Sequence, residues 1–161
     1  MIYVTVGTMF MDFTRLINAM DTIAQSSDEE VIIQTGMDST TPNHASHFDF
    51  KPREEVQAIQ ARARMIVCHA GIGSVKDALA AQRPFIVVPR LKRWREHMND
   101  HQLELARAVE SRGWGRMVLD IDELSELCAT PPPMPSDYRS MSTPLVESIR
   151  TDIANLAGAR V

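Results

Sequence analysis

A doubly wound α/β domain, built on a parallel sheet with helices on both faces, is the fold class this sequence predicts. Three observations carry it. Short, near-continuous apolar runs rich in Val and Ile recur along the chain, stretches with apolar residues at helical spacing separate them, and Gly or Pro punctuates the junctions. Strands buried on both faces read as unbroken apolar runs rather than as alternating ones. Their regular alternation with helices points to βαβ units.

The elements follow in order. "MIYVTV" is β-branched, stops at Gly7 and reads as the first strand; "DFTRLINAMDTIAQ" after it has the spacing of an amphipathic helix. "EVIIQTG" is a second strand and "HFDF" a weaker third. "REEVQAIQARA" is a helix leading into the fourth strand, "RMIVCHAG". Then come a helix in "GSVKDALAAQ", a strand in "PFIVVP", a helix in "NDHQLELARAVESRG" and a last strand in "GRMVLD". Residues 1–128 therefore form one domain. Residues 129–143 hold prolines at 131, 132, 133 and 135, which exclude a helix and predict an extended connector. Residues 144–161 place apolar side chains at 145, 146, 149, 153 and 156, a helical face with somewhere to dock.

Composition removes several classes of function. Of 161 residues, 44% are hydrophobic and 24% charged, which is the balance of a folded globular domain. The net charge of −4 offers no overall basic field, so nucleic acid is not an expected partner and any phosphate site must be local. Cys68 and Cys128 have neither CxxC spacing nor a Cys/His grouping, which fits a reducing compartment. There is no basic leader before an apolar segment and no membrane-length apolar run, so a cytoplasmic protein is expected.

Ligands of open α/β sheets sit beyond the carboxyl ends of the strands. After the first strand, Gly7 lets the backbone approach a ligand and Thr8 offers a hydroxyl. After the fourth, "HAGIGS" places Gly71 and Gly73 in a turn whose amides face an anion at the next helix, with Ser74 as N-cap or phosphate ligand. Asp77, read as lying in the first turn of that helix, suits a ribose diol or complements the helix dipole. After the fifth strand, Arg90, Lys92, Arg93 and Arg95 share one loop before a helix opening near Asn99 and Asp100, at whose mouth His101 and Gln102 suit a sugar. A diphosphate bearing a sugar matches these parts. Plainer readings stand beside them: close helix–strand packing for the glycines, an ordinary N-cap for Ser74, a structural histidine for His69 and a solvated loop for the four cations.

Other nucleotide and catalytic motifs fit less well. "GIGSVK" lacks the third glycine of the dinucleotide fingerprint and the acidic ribose partner downstream. There is no P-loop and no GxSxG elbow. The strands do not end in the acidic pocket of a flavodoxin-like signalling domain. His97 and His101 have zinc-ligand spacing on a helix, but an N-cap near Asn99 leaves His97 outside it and no third ligand is evident.

"VTVGT", "HAGIGSVKDAL", "VVPR" and "EHMNDHQLELA", in this order, resemble the C-terminal donor-binding domain of glycosyltransferase family 28, over roughly residues 1–125. The chain looks like a stand-alone version of that domain. Such domains serve as the soluble subunit of two-part UDP-sugar transferases acting on dolichol-linked sugars and in bacterial capsule and exopolysaccharide synthesis. The resemblance implies a Rossmann-like half of a GT-B enzyme, a UDP-sugar as substrate, and no cofactor or metal. By position, Gly7, Thr8, His69, Gly71, Gly73, Ser74 and Arg90 would surround the diphosphate. Phe50, Lys51, Pro52 and Arg53 would flank the uracil, Asp77 would take the ribose hydroxyls, and Asp100, His101 and Gln102 would hold the donor sugar. The catalytic base would lie on a membrane-anchored, acceptor-binding partner subunit, the acceptor being a lipid-linked saccharide. The implied place is the cytoplasm, peripheral at the inner face of the membrane, with the C-terminal helix as the partner contact. The alternative is an adaptor that keeps the fold and binds a nucleotide without turnover.

Overall fold

The computed structural model describes residues 1–134; most of the connector and the whole C-terminal helix expected from the sequence lie outside the described residues. The elements are β1 (Ile2–Thr5), α1 (Thr14–Ser26), β2 (Val31–Gln34), β3 (Ser46–Phe48), α2 (Arg53–Arg62), β4 (Met65–His69), α3 (Ile72–Ala80), β5 (Phe85–Val88), α4 (His101–Ser111), β6 (Arg116–Met117) and α5 (Leu124–Ala129). All six strands pair in parallel, in the order β3-β2-β1-β4-β5-β6. The doubly wound sheet expected from the apolar runs is present.

Alternation along the strands feeds two cores. Ile2, Val4, Ile33, Met65, Val67, Ile86 and Val88 face one side, where α1 supplies Leu16, Ile17 and Met20 and α5 supplies Leu124 and Cys128. Tyr3, Ile66, Cys68, Phe85 and Val87 face the other, beneath α3 (Val75, Ala78, Leu79) and α4 (Ala106, Val109), with Val56 and Ile59 of α2 alongside. Period-2 side-chain placement thus makes the central strands apolar on both faces, with Thr5 and His69 at their carboxyl ends the exceptions, the signature of a sheet covered on both sides.

Two carboxylates fix connections that hydrophobicity does not specify. Asp21, on the buried side of α1, accepts from the amides of Asn43, His44 and Ala45 at 2.7–3.0 Å. Burial alone would raise its pKa, yet the three amides hold it below the ordinary carboxylate value. This clamps the segment leading into the short edge strand β3. Asp38 in turn accepts from the Phe13 amide at the start of α1, tying the loop after β2 to the loop after β1.

Candidate functional site

In this strand order the chain leaves β1 toward β2 on one side and β4 toward β5 on the other, so the carboxyl ends of β1 and β4 bound the topological switch point. Gly7 follows β1 with φ +82°, and Gly71 follows β4. The His69 imidazole fills the space between them. A Cβ on Gly7 would stand 2.4 Å from His69 Cε1, and one on Gly71 would stand 2.2 Å from His69 Nε2. Neither position admits a side chain without moving the ring. Burial, then the nearby Arg90 charge, push the His69 pKa down to about 4, against an opposing contribution from the Thr5 backbone. The ring is therefore neutral near pH 7, with Nδ1 buried and unpartnered. Gly36, which sequence reasoning missed, belongs to the same knot: at φ +61° a Cβ there would lie 2.2 Å from the Gly7 carbonyl. Its signal was present in the glycine closing "EVIIQTG".

The start of α3 differs from the sequence expectation. Gly71, extended at φ −89° and ψ 140°, is the N-cap, and no side chain caps the helix. Ser74 is not the N-cap but the third helical residue, and Asp77 lies in the second turn rather than the first. The helix begins earlier because Gly71 stays extended as its N-cap and the Val75 amide closes the first bond on the Gly71 carbonyl at 3.0 Å. Amides ahead of that bond are the helix's unpaired donors, at the positive end of its dipole. A Cβ on Gly73 would meet nothing within 4 Å. The two glycines are thus unlike: Gly71 is required by the chain's own packing, whereas Gly73 keeps an open face.

In the second turn of α3, Asp77 Oδ1 accepts from Arg53 Nη2 at 3.0 Å, so two residues expected around a nucleoside are paired with each other. Pro52 caps α2, Lys51 is exposed beside Glu55 at 3.1 Å, and Phe50 is 56% exposed. Thr8 is exposed next to Gly7.

After β5 the four cations part company. Lys92, Arg93 and Arg95 are exposed, but Arg90 is completely buried. Its guanidinium donates to the carbonyls of Val6 (2.8 Å), Met11 (2.6 Å), Asp12 (3.1 Å) and Glu96 (3.3 Å), and stacks over Phe13 at 4.6 Å. Arg90 is a brace between the loops after β1 and β5, not a cation facing solvent. Gln102, also buried, accepts from the Arg90 amide through Oε1 at 3.0 Å. Asp100 is the N-cap residue of α4 and accepts from the Lys92 amide at 2.8 Å, while the exposed His101 ring contacts Asn99 Oδ1. His97 and His101 meet edge to face with centroids 4.4 Å apart. Among the described residues no group of three His, Cys, Asp or Glu is placed to hold a metal ion.

The start of α3 thus presents unpaired amides, the open face of Gly73 and, one turn further on, the carboxylate of Asp77. The sequence model described as Glycosyltransferase family 28 C-terminal domain matches residues 1–156. The chain belongs to that family. It is 29% identical over 121 residues to the human UDP-N-acetylglucosamine transferase subunit ALG13, an alignment covering 70% of this chain and 10% of that protein. It is 33% identical over 98 residues to the subunit of the same name from Eremothecium gossypii, covering 56% and 46%. The chain thus spans less than half the length of these curated relatives. Among solved structures, the solution structure of ALG13 superposes with TM-score 0.58 at 20% identity, covering 92% of this chain and 96% of that one. The calicheamicin glycosyltransferase CalG4 superposes with TM-score 0.60 at 17% identity, covering 99% and 44%. The same fold is therefore met in a solved chain of similar length and in part of a solved chain about twice as long.

Proposed function

We propose that this chain is the donor-binding subunit of an inverting, metal-independent glycosyltransferase, active with a membrane-anchored partner that supplies the acceptor site and the base. The observation that carries the reading is the uncapped start of α3 beneath the open face of Gly73, at the switch point beside Gly7. The diphosphate of a UDP-sugar would accept from the first-turn amides, and the ribose would exchange with Arg53 for the carboxylate of Asp77. That exchange costs little, because the Arg53–Asp77 pair is exposed to solvent. Asp100, His101 and Gln102 would hold the sugar. UDP-N-acetylglucosamine is the first donor to try, since the relatives' names carry it.

In the transfer, a hydroxyl of a lipid-linked saccharide, deprotonated by the partner's base, attacks the anomeric carbon while UDP departs. This chain handles the leaving group. Amides fixed at the positive end of α3 meet charge growing on the β-phosphate without reorganising, an effect whose loss costs roughly 10²-fold in rate per donor. A partner is supported by the apolar side chains left exposed: Met37, Phe50, Ile72 and Met98 all lie just beyond carboxyl ends of strands, on the rim that carries the cradle. Among the described residues no helix is long and apolar enough to cross a membrane. The enzyme would act in polysaccharide biosynthesis at the inner membrane face.

The test is calorimetry of UDP and UDP-N-acetylglucosamine on wild type and Asp77→Ala, then transfer to lipid-linked acceptor on co-expression with candidate partners, with and without EDTA. Weakening of UDP binding by about tenfold in the variant, and EDTA-resistant turnover with the partner, are expected. Equal affinity in the two proteins removes Asp77 from the site. Binding without turnover under every pairing favours the adaptor reading.

A further inference from the structure

The chain carries a net charge of −4, yet the loop after β5 has a tip where three cations surround an indole: Lys92, Arg93, Trp94 and Arg95, all exposed. The tip is a single 3₁₀ turn, Lys92–Trp94, closed at its base by buried groups. The Leu91 amide donates to Glu96 Oε2 at 3.0 Å and the Glu96 amide to the Leu91 carbonyl at 3.3 Å, while Arg15 holds the Glu96 carboxylate at 2.9 Å. Such a base fixes the tip before anything binds, so little ordering remains to be done on contact. Trp94 is 57% exposed, with the Arg93 guanidinium over its ring at 5.5 Å. Arg95 sits at φ +58°, where glycine would be the unstrained choice, and presents a cation there instead. Phe10, from the loop after β1, lines one cavity with Trp94 and Arg95 and is 73% exposed. The exposed acids of the two loops, Asp12 and Asp100, accept from Ser39 and from the Lys92 amide.

We infer that the loops after β1 and β5 form a docking surface for an anionic phospholipid bilayer, with Trp94 and Phe10 entering the headgroup layer and Lys92, Arg93 and Arg95 meeting its phosphates. This goes beyond the reading above, in which the bilayer is reached through a partner, and it uses none of the residues given there to the nucleotide, the sugar or the partner. An indole sits readily at the level of the headgroups, and long cationic side chains keep their heads in water there while their stems rest on apolar surface. An anionic leaflet attracts each Lys or Arg brought near it. A protein partner is the poorer match. Burying Trp94 at the centre of a protein contact would strip water from the cations on either side of it, and such centres are depleted of charge. A hydrated headgroup layer imposes no such cost. Two aromatic side chains and three cations make a weak, reversible contact, which suits a chain held also by a second attachment.

The experiment floats the full chain, without nucleotide, on vesicles of phosphatidylcholine alone or with about a quarter phosphatidylglycerol. UDP calorimetry tests donor binding separately, so the two readings fail independently. Wild type should bind anionic vesicles at least about tenfold more tightly than neutral ones and lose that binding as salt is raised. Trp94 and the buried Trp114 are the chain's two tryptophans, so a blue shift of emission on binding reports the exposed indole entering the layer. Arg93→Ser and Arg95→Gly should each weaken binding by about fivefold, the second with its backbone strain relieved. Trp94→Ala and Phe10→Ala should weaken it by a similar factor, the former with loss of the blue shift. All these side chains are exposed, and unchanged thermal melting of the variants establishes folding. No vesicle binding, or equal binding to neutral and anionic vesicles, overturns the inference. So does a chain carrying Lys92→Ser, Arg93→Ser and Arg95→Gly together that floats as well as wild type, which places the lipid contact elsewhere. Emission unmoved by anionic vesicles overturns it too, as does loss of co-purification with a co-expressed partner while vesicle binding persists, which makes the surface a protein contact.

Discussion

At the scale of single residues, the contrast between Gly71 and Gly73 separates folding from binding. A methyl group on Gly71 collides with the His69 ring, whereas one on Gly73 meets open space. Gly73→Ala should therefore leave thermal stability unchanged or raised, since alanine is the better helix former by about 0.5–1 kcal/mol, while UDP affinity measured by calorimetry falls. Gly71→Ala should lower both melting temperature and affinity. His69 adds a pH dependence whose sign is fixed by burial. Its folded pKa of about 4 lies below the ordinary 6.5, so between these values the unfolded chain binds the proton and the folded chain does not. Stability from this group is present above pH 6.5 and drains away as pH falls toward 4. Denaturant unfolding at a series of pH values should show this slope in wild type and a shallower one in His69→Phe.

Among elements, the decisive coupling is between the loops after β1 and β5, which no local pattern relates. Arg90 carries it with four carbonyl contacts and the Phe13 stack. Removing the guanidinium strands buried carbonyls, each costing about 1–3 kcal/mol, so Arg90→Ala should lose about 3 kcal/mol or more in denaturant unfolding. Arg90→Lys should recover only part, because an ammonium cannot reproduce the planar fork. Gln102 hangs on the same loop through the Arg90 amide, so its buried carbonyl positions the backbone after β5 even before any sugar is considered.

For the whole molecule, the start of α3 and the stability clamp sit at opposite ends of the sheet. At the amino end, Glu29 pairs with Arg64, Nε to Oε1 at 2.9 Å, and Arg64 reaches the Cys128 carbonyl of α5 at 2.8 Å. The hydrogen bond from Arg64, countered by partial burial, helps bring the Glu29 carboxyl down to about 2 from the ordinary 4.5. Its stabilisation is complete above pH 4.5 and is lost as pH falls from there toward 2. Arg64→Met should flatten that part of the acid unfolding curve without altering UDP binding at neutral pH, because the pair lies away from the carboxyl rim.

The α/β class and the six strands could be read from the chain, because sheet burial imposes an apolar pattern that needs no knowledge of neighbours. "HAGIGS" likewise announced a turn into a helix, since glycine and helix-start chemistry are local. Other features were settled only by tertiary structure. Ser74 and Asp77 shift one position class along α3 because the helix starts where Gly71 stays extended, a matter of how β4 hands over to the helix. Arg90 read as a neighbour of the diphosphate or as one of four cations in a solvated loop, and it is fully buried, since three of its carbonyl partners come from some eighty residues earlier. Sequence records which groups are present and their local spacing; which of them meet depends on long-range closure of the sheet, and the Arg90 brace between the loops after β1 and β5 exists only after that closure.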